Sequence, residues 1–183
     1  MLVMNAPTII TLLRILFIPL LVVSLLTQYK SKELVALAVF LIATSTDILD
    51  GILARRMKQI TVLGQLLDPI ADKLLAASAF ICLVELGVVS SWMVIIIIGR
   101  EIAITGFRAI ASSKSCIIPA SLLGKIKMVL EIITISLLIV GEKYLGKLYF
   151  LAQVGLWLVI ITAVSSAVEY IVKFGPLIVS KDS

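Results

Sequence analysis

Four aspartates lie within 26 residues of a chain that is otherwise strongly apolar. They are Asp47, Asp50, Asp68 and Asp72, and the 183-residue chain around them is 61% hydrophobic and only 15% charged. Carboxylates are costly in apolar surroundings, so their concentration in one stretch indicates a functional site. Carboxylate oxygens suit hard divalent ions such as Mg²⁺ or Mn²⁺, and two such ions would form a clamp for phosphoryl transfer.

The spacing of the aspartates predicts that they meet on two neighbouring helices. Two sets each share a helix face: Asp47, Asp50 and Ala54 at i, i+3 and i+7, and Gly64, Asp68 and Asp72 at i, i+4 and i+8. These intervals bring side chains close to one face of an α-helix. A linker over 58–63 would fold the two helices back as an antiparallel pair, so that the two acidic faces converge.

The residues between the aspartates extend this site towards a phosphate ligand. Gly51 and Gly64 remove side chains where a ligand or a second helix must come close. Arg55 adds a planar fork of donors that suits a phosphate. Because the chain contains no histidine, a general base must be a carboxylate, Lys or Tyr, and Asp72, last along its face, is the candidate.

The whole stretch fits the pattern D-x2-D-G-x2-A-R-x8-G-x3-D-x3-D at every defined position. This pattern resembles the signature of the CDP-alcohol phosphotransferase family, which consists of membrane enzymes of phospholipid synthesis. The resemblance implies the CDP-alcohol phosphotransferase fold and a metal site formed by all four aspartates. It also implies a binding site for CDP-diacylglycerol, whose residues would be Thr11, Asp50, Gly51, Ala54, Arg55 and Gly64.

The first helix carries a polar stripe of Thr8, Thr11 and Arg14 in an otherwise apolar sequence. One interpretation is an interfacial stretch with a snorkelling arginine. The other is that this face borders the carboxylate site. In the family that the chain resembles, an N-x-P-N-x-x-T-x-x-R element borders the nucleotide-lipid; Asn5, Pro7, Thr11 and Arg14 match it, and Thr8 replaces its second Asn.

A second constellation is basic and lies downstream. Arg100 and Arg108 are eight residues apart in one predicted span, and Lys125 opens the next. Snorkelling and ion pairing are the alternative explanation for such cations, above all for Lys127, and Glu101 is a possible local partner of Arg100. Converging cations beside a metal–carboxylate site would otherwise bind a second phosphorylated substrate.

The sequence around these cations, G-R-E-I-A-I-T-G-F-R-A-I-A followed by L-G-K-I-K, is similar to the phosphatidylglycerophosphate synthase branch of the family. In that branch the residues matching Arg100, Arg108 and Lys125 hold the phosphate of glycerol 3-phosphate. The chain departs from the branch at Met128 and Glu131, where Thr and Gln are common. For Glu131, a structural hydrogen bond is the expected role.

Composition and charge predict an all-α integral membrane protein with six transmembrane helices in a single domain, 1–183. The predicted spans are the first apolar stretch to residue 26, and about 34–56, 64–86, 92–111, 121–140 and 149–172. If the N-terminus is cytoplasmic, the far-side loops hold four of the sixteen Lys and Arg residues, namely Lys30, Lys32, Lys143 and Lys147. The positive-inside rule then places the aspartates at the cytoplasmic face of a bacterial inner membrane.

The net charge of +5 is scattered through apolar sequence, which favours membrane topology over nucleic-acid binding as its explanation. Gly155 and the Ser165–Ala167 cluster predict close helix packing, and a homodimer is expected.

The resemblance implies transfer of the phosphatidyl group of CDP-diacylglycerol to sn-glycerol 3-phosphate, with release of CMP. Synthesis of phosphatidylinositol phosphate or cardiolipin is the alternative within the family. A divalent-cation transporter would also place aspartates in membrane helices, but it would not need Arg55, the two glycines or the basic residues. A non-catalytic membrane scaffold would not need the complete signature.

Overall fold

The structure is a computed structural model that describes the backbone of residues 6–57, 62–113 and 122–179, and the side chains of 13–46, 70–112 and 122–174. All the regular elements within these ranges are helices, which confirms the predicted all-α class. The elements are α1 (Ala6–Leu26), α2 (Lys32–Met57), α3 (Val62–Glu85), α4 (Ser91–Ser113), α5 (Leu122–Leu145), a 3-10 helix (Gly146–Tyr149) and α6 (Phe150–Val179).

The link between α5 and α6 differs from the prediction. A polar loop was expected over 141–147, whereas the last turn of α5 and the 3-10 helix occupy these residues. Two glycines break the helical geometry in this link: Gly141, which has φ 71° and ψ 175°, and Gly146, the first residue of the 3-10 helix, which has φ 50°. Glycine takes up positive φ without the steric cost that other residues meet. The chain therefore turns at these two residues and is helical between and after them.

The helices surround one apolar core. In the described residues α1 packs on α2 and α3, α5 packs on α2, α3 and α6, and α4 packs on α3 and α6. Each helix contributes at least one fully buried side chain to the core: Leu21, Phe40, Phe80, Ile97, Ile135 and Leu156. Burial of such side chains supplies roughly 1.5–3 kcal/mol each relative to exposure in water.

The outer surface of the bundle is apolar as well. Leu16, Ile95 and Val172 are 67%, 68% and 70% exposed. Within the described residues, one stretch is long and apolar enough to cross a membrane: Leu122–Phe174, 53 residues with a mean hydropathy of 2.0 that include α5 and most of α6. Leu13–Leu26 is a shorter apolar helix. Helices lie at the six predicted positions, but six membrane spans are not established by this test.

An ion pair links the two helix ends at one end of the bundle. Lys143 Nζ lies 3.2 Å from Glu33 Oε2, joining the end of α5 to the start of α2. The pKa of Glu33 lies below its usual value. The largest cause is a hydrogen bond from the backbone N–H of Glu33 to its own carboxylate, and the interaction with Lys143 lowers the pKa further. Exposed pairs of this kind contribute little stability. Glu142 is also exposed here.

Gly155 mediates the closest approach between α5 and α6. A Cβ at this position would lie 2.6 Å from Thr134 Oγ1 and 3.4 Å from its Cβ and Cγ2. Thr134 is 1% exposed, so its side chain has little room to move away. The predicted role of Gly155 in close helix packing is confirmed. The contact lies within one chain, so it does not support a dimer interface at this residue.

We expect Gly155→Ala to lower the thermal stability of the protein in detergent. The added methyl group overpacks the contact with Thr134, at a cost of about 1–3 kcal/mol. Gly99→Ala is the matched control, because a Cβ at Gly99 in α4 meets no atom within 4 Å. That substitution should be neutral or stabilising, since alanine is the better helix former by about 0.5–1 kcal/mol. Equal unfolding temperatures for the two variants would contradict the packing analysis.

Candidate active site

A cavity of about 480 Å³ lies between α2, α3, α4 and α5. Most of its lining is apolar, and its polar lining residues are Thr44, Asp72, Lys73, Glu101, Thr105 and Glu131. Asp72, the candidate base, is therefore on the wall of a cavity large enough for part of a small ligand. Several apolar lining residues are also exposed, namely Ile70, Leu74, Ile102 and Met128, so the cavity opens on the side of the bundle.

Two helical stripes line the cavity from opposite sides. On α4 the stripe includes Ile98, Glu101 and Thr105, which are spaced i, i+3 and i+7. On α5 it includes Met128, Ile132 and Ile135, which are spaced i, i+4 and i+7. Arg108 follows Thr105 by three residues, and Lys125 precedes Met128 by three. Each cation thus continues its stripe by about one turn, and both side chains are exposed. Arg108 and Lys125 lie beyond the cavity at the end of the bundle where α4 ends and α5 begins.

The helices that carry the aspartate signature, α2 and α3, form the other two walls of the cavity. On α2, Thr44 lines the cavity and Asp47 follows it by three residues. On α3, Asp72 lines the cavity and Asp68 precedes it by four. The backbone of both stretches is helical, as predicted. The side chains of most predicted donor and metal residues lie outside the described ranges: Thr11, Asp47, Asp50, Gly51, Ala54, Arg55, Gly64 and Asp68.

A chain of four charged groups lies at the cavity, with Lys127 and Glu131 buried and Arg100 and Glu101 half-buried. Glu101 Oε1 accepts hydrogen bonds from Arg100 Nη1 at 2.6 Å and from Lys127 Nζ at 2.7 Å. Lys127 Nζ also donates to Glu131 Oε2 at 2.5 Å. The side chain of Lys127 is only 2% exposed, so its ammonium group depends on these two carboxylates. The formal charges of the four groups sum to zero.

Arg100 points away from the cavity and joins the network to α6. Its Nε donates to the backbone oxygen of Ala163 at 3.3 Å. Its Nη2 donates to Ser166 Oγ, while Nη1 is bonded to Glu101. The predicted local pairing of Arg100 with Glu101 is confirmed. Arg100 does not line the cavity, so the structure groups Arg108 and Lys125 along the cavity stripes and leaves Arg100 beside α6.

Snorkelling was one of two interpretations for Arg14 and, with ion pairing, the alternative explanation for Lys127, and it applies to neither side chain. Lys127 forms the expected ion pairs, but it is buried instead of reaching the surface along the helix. Arg14 is 0% exposed, which overturns the interpretation of an interfacial arginine in the first helix. It lies on α1, which packs against α2 and α3, the two helices that carry the aspartates. The surrounding helices cover both cations and leave them no path to the surface.

Sequence reasoning did not place Lys127 or Glu131 in the site. The signal that could have found them is the spacing K-x3-E from Lys127 to Glu131, because residues four apart on a helix can pair. The predicted structural hydrogen bond of Glu131 is confirmed by its bond to Lys127. Its place on the cavity wall with Asp72 could not be read from the spacing alone.

The residues present fit the metal-binding hypothesis in their chemistry. Asp72 is the member of the predicted ligand set whose side chain is described, and it lines the cavity from α3. No group of three or more potential ligands occurs among the described side chains, a range that leaves out Asp47, Asp50 and Asp68. An all-carboxylate set on two adjoining helices provides the oxygen donors that Mg²⁺ and Mn²⁺ prefer.

The sequence profile described as CDP-alcohol phosphatidyltransferase matches residues 4–167. A CDP-diacylglycerol–glycerol-3-phosphate 3-phosphatidyltransferase of Bacillus subtilis is 36% identical over 182 residues, covering 92% of this chain and 94% of the relative. A protein of the same name from Rickettsia felis is 29% identical, covering 91% and 93%. Another from Pseudomonas fluorescens is 44% identical over 109 residues, covering 57% and 55%. The match to the profile includes the aspartate signature and both cation-bearing helices, α4 and α5.

Proposed function

The chain belongs to the CDP-alcohol phosphatidyltransferase family, and we propose that it transfers the phosphatidyl group of CDP-diacylglycerol to sn-glycerol 3-phosphate. The products are phosphatidylglycerophosphate and CMP. The observation that carries the proposal is the complete aspartate signature, whose last member, Asp72, lines a cavity flanked by Arg108 and Lys125. The relatives named for this reaction support it, since their likeness covers more than nine-tenths of the chain in two cases.

The donor binds where α2 and α3 carry the signature. Gly51, Ala54 and Gly64 offer small side chains, against which the cytidine packs. Arg55 contributes guanidinium donors to the diphosphate, and Thr11 of α1 approaches the same ligand. Asp50 belongs to both the metal site and the donor site. The acyl chains of the donor remain in the lipid around the bundle.

The acceptor phosphate binds at the end of the cavity through Arg108 and Lys125. Their positions one turn beyond the lining stripes would direct the rest of the acceptor inwards, towards Asp72. Arg100 is the third cation predicted for this site, but it is directed towards α6 and bonded to Glu101, Ser166 and the backbone oxygen of Ala163. The proposed phosphate contacts are therefore those of Arg108 and Lys125.

The reaction is a displacement at phosphorus, in which the bound acceptor is held close to the donor. The terminal hydroxyl oxygen of glycerol 3-phosphate forms a bond to the β-phosphorus of CDP-diacylglycerol. The bond from that phosphorus to the bridging oxygen breaks, and CMP leaves with the electron pair. Asp72 accepts the proton of the attacking hydroxyl, because among the carboxylates that line the cavity it is the one that belongs to the aspartate signature.

The four signature aspartates would hold two divalent ions, Mg²⁺ or Mn²⁺, through Asp47, Asp50, Asp68 and Asp72. Such ions withdraw charge from the diphosphate and stabilise the leaving group. The protein contributes the fixed spacing of the carboxylates on α2 and α3. Without cations, four converging carboxylates would repel one another.

The proposed setting is a bacterial inner membrane crossed by all six helices, with the site facing the cytoplasm and two copies forming a homodimer. The exposed apolar side chains on the outer surface support contact with lipid, since soluble monomers rarely expose large apolar patches. The asymmetry of Lys and Arg supports the orientation. Gly155 and Ser166 are used within the chain, so a dimer would pair through other residues.

We expect purified protein to release CMP from CDP-diacylglycerol when glycerol 3-phosphate and Mg²⁺ or Mn²⁺ are supplied. EDTA should abolish release, and Asp68→Asn should reduce it at least about a hundredfold, because a key electrostatic group is lost. The acceptor panel includes inositol phosphate and phosphatidylglycerol. Preference for either would indicate phosphatidylinositol phosphate or cardiolipin synthesis instead. Full turnover in chelator would exclude the metal-dependent mechanism.

We expect Arg108→Ala to raise the apparent KM for glycerol 3-phosphate by roughly ten- to a hundredfold, the scale of one lost charge-assisted hydrogen bond. Donor affinity, measured without acceptor, should change little. Arg55→Ala should do the reverse, and Arg108→Lys should recover only part of the loss, since Lys lacks the planar fork. Lys147→Ala, an exposed cation in the 3-10 helix, is the control. The same donor-binding defect in Arg108→Ala and Arg55→Ala would disprove separate pockets.

A cysteine introduced at Lys58 should react with a membrane-impermeant thiol probe only from the cytoplasmic side. One introduced at Ser31, between α1 and α2, should react only from outside. The physical reason is the charge bias, which keeps Lys- and Arg-rich segments in the cytoplasm. The labelling is done in cells and in inverted vesicles, with the native Cys82 and Cys116 replaced. Reversed labelling would place the site away from its nucleotide-linked substrate.

A further inference from the structure

We propose that Glu131 determines acceptor specificity by binding the middle hydroxyl group of glycerol 3-phosphate. This inference rests on the function proposed above and adds a contact for the part of the acceptor that does not react. It concerns a residue on α5 that lines the same cavity as Asp72. The two carboxylates are near enough to act on each other electrostatically.

The position of Glu131 is fixed from one side only. Its Oε2 is held by Lys127 Nζ at 2.5 Å, and this is the contact that the described residues provide for the carboxylate. Lys127 is itself anchored by Glu101 on α4, so the ammonium group cannot swing away with Glu131. An ionised carboxylate has two oxygens and accepts up to about four hydrogen bonds. Oε1 therefore retains acceptor capacity on the cavity wall.

The charge of the buried network favours a hydroxyl over a phosphate at Glu131. Glu101 and Glu131 cancel the charges of Arg100 and Lys127, so the buried network offers no net positive charge to an anion. A carboxylate can only accept hydrogen bonds when it is ionised. A neutral ligand group that donates, such as an alcohol, meets that requirement at the lowest electrostatic cost.

The arrangement along the helices matches the order of groups in the acceptor. Arg108 and Lys125 mark the phosphate end, about one turn beyond the cavity. Asp72 receives the proton of the terminal hydroxyl. Glu131 lies on the cavity wall formed by α5, and Asp72 lies on the wall formed by α3. A three-carbon acceptor placed between the two walls would present its middle hydroxyl to Glu131 and its terminal hydroxyl to Asp72. The apolar residues Ile132 and Ile135 continue the wall beyond Glu131 and offer nothing polar to a longer polyol.

The test compares two acceptors on three proteins. Glycerol 3-phosphate and 3-hydroxypropyl phosphate, which lacks the middle hydroxyl, are assayed by CMP release with the full-length wild type, Glu131→Met and Glu131→Gln. The wild type should prefer glycerol 3-phosphate by roughly ten- to a hundredfold in kcat/KM. Glu131→Met should lose that preference, because the hydroxyl has no acceptor. The readout is the ratio of kcat/KM for the two acceptors within each protein, since removal of one partner of buried Lys127 lowers the stability of the variant and thereby its rate on both acceptors alike. Glu131→Gln keeps a polar group and should recover part of the preference.

Several outcomes would overturn the inference. A wild type that does not distinguish the acceptors has no hydroxyl contact to lose. A Glu131→Met variant that loses rate equally on both acceptors, and so keeps the wild-type preference, shows a structural role for Glu131, since loss of a specific contact would change the ratio. Glu85→Gln, an exposed carboxylate at the end of α3, is the control and should retain the wild-type preference. A wild type that releases no CMP with either acceptor, while using another alcohol, would instead refute the proposed function, and the two failures are thereby distinguished.

Discussion

The buried ion network centred on Lys127 is the interaction on which the arrangement of α4, α5 and α6 depends. One ammonium group holds a carboxylate from α4 and another from α5, and Arg100 extends the chain to α6. Removing charges from a polar medium is expensive, and the cost is offset only when every charge is paired with good geometry. Each of these four groups meets that condition. The helices are thereby fixed at one relative height, which apolar packing alone specifies poorly.

This constraint also separates the roles of the basic residues. Arg100 and Lys127 are neutralised by Glu101 and Glu131, whereas Arg108 and Lys125 are exposed along the cavity stripes. Glu101 and Glu131 thus place hydrogen-bond acceptors on the cavity wall, and Arg108 and Lys125 are the exposed cations one turn beyond it. An anionic and polyhydroxy ligand would be oriented by that difference. The number of Lys and Arg residues in the sequence does not reveal it.

Much of the fold follows from the sequence because apolar runs and glycines mark the helices. The six helices lie near the predicted positions, and Gly141 breaks α5 where the loop was expected to begin. The aspartate signature was likewise recognisable from spacing alone. The burial of Lys127 and Arg14 could not be predicted from spacing, because a long cationic side chain reaches the surface or stays buried according to the helices packed around it. The direction of Arg100 towards α6 depends on Ala163 and Ser166, more than sixty residues away along the chain.

The side opening of the cavity determines how a lipid would arrive. Exposed apolar residues from α3, α4 and α5 border it, namely Ile70, Leu74, Ile102 and Met128. In the proposed setting a donor with two hydrocarbon chains enters from within the bilayer, so its supply is a two-dimensional diffusion problem. The rate then depends on the mole fraction of the donor among the surrounding lipids, and the bulk concentration of the donor does not determine it. Adding inert lipid or detergent would slow the enzyme by surface dilution alone, even with every molecule of substrate still present.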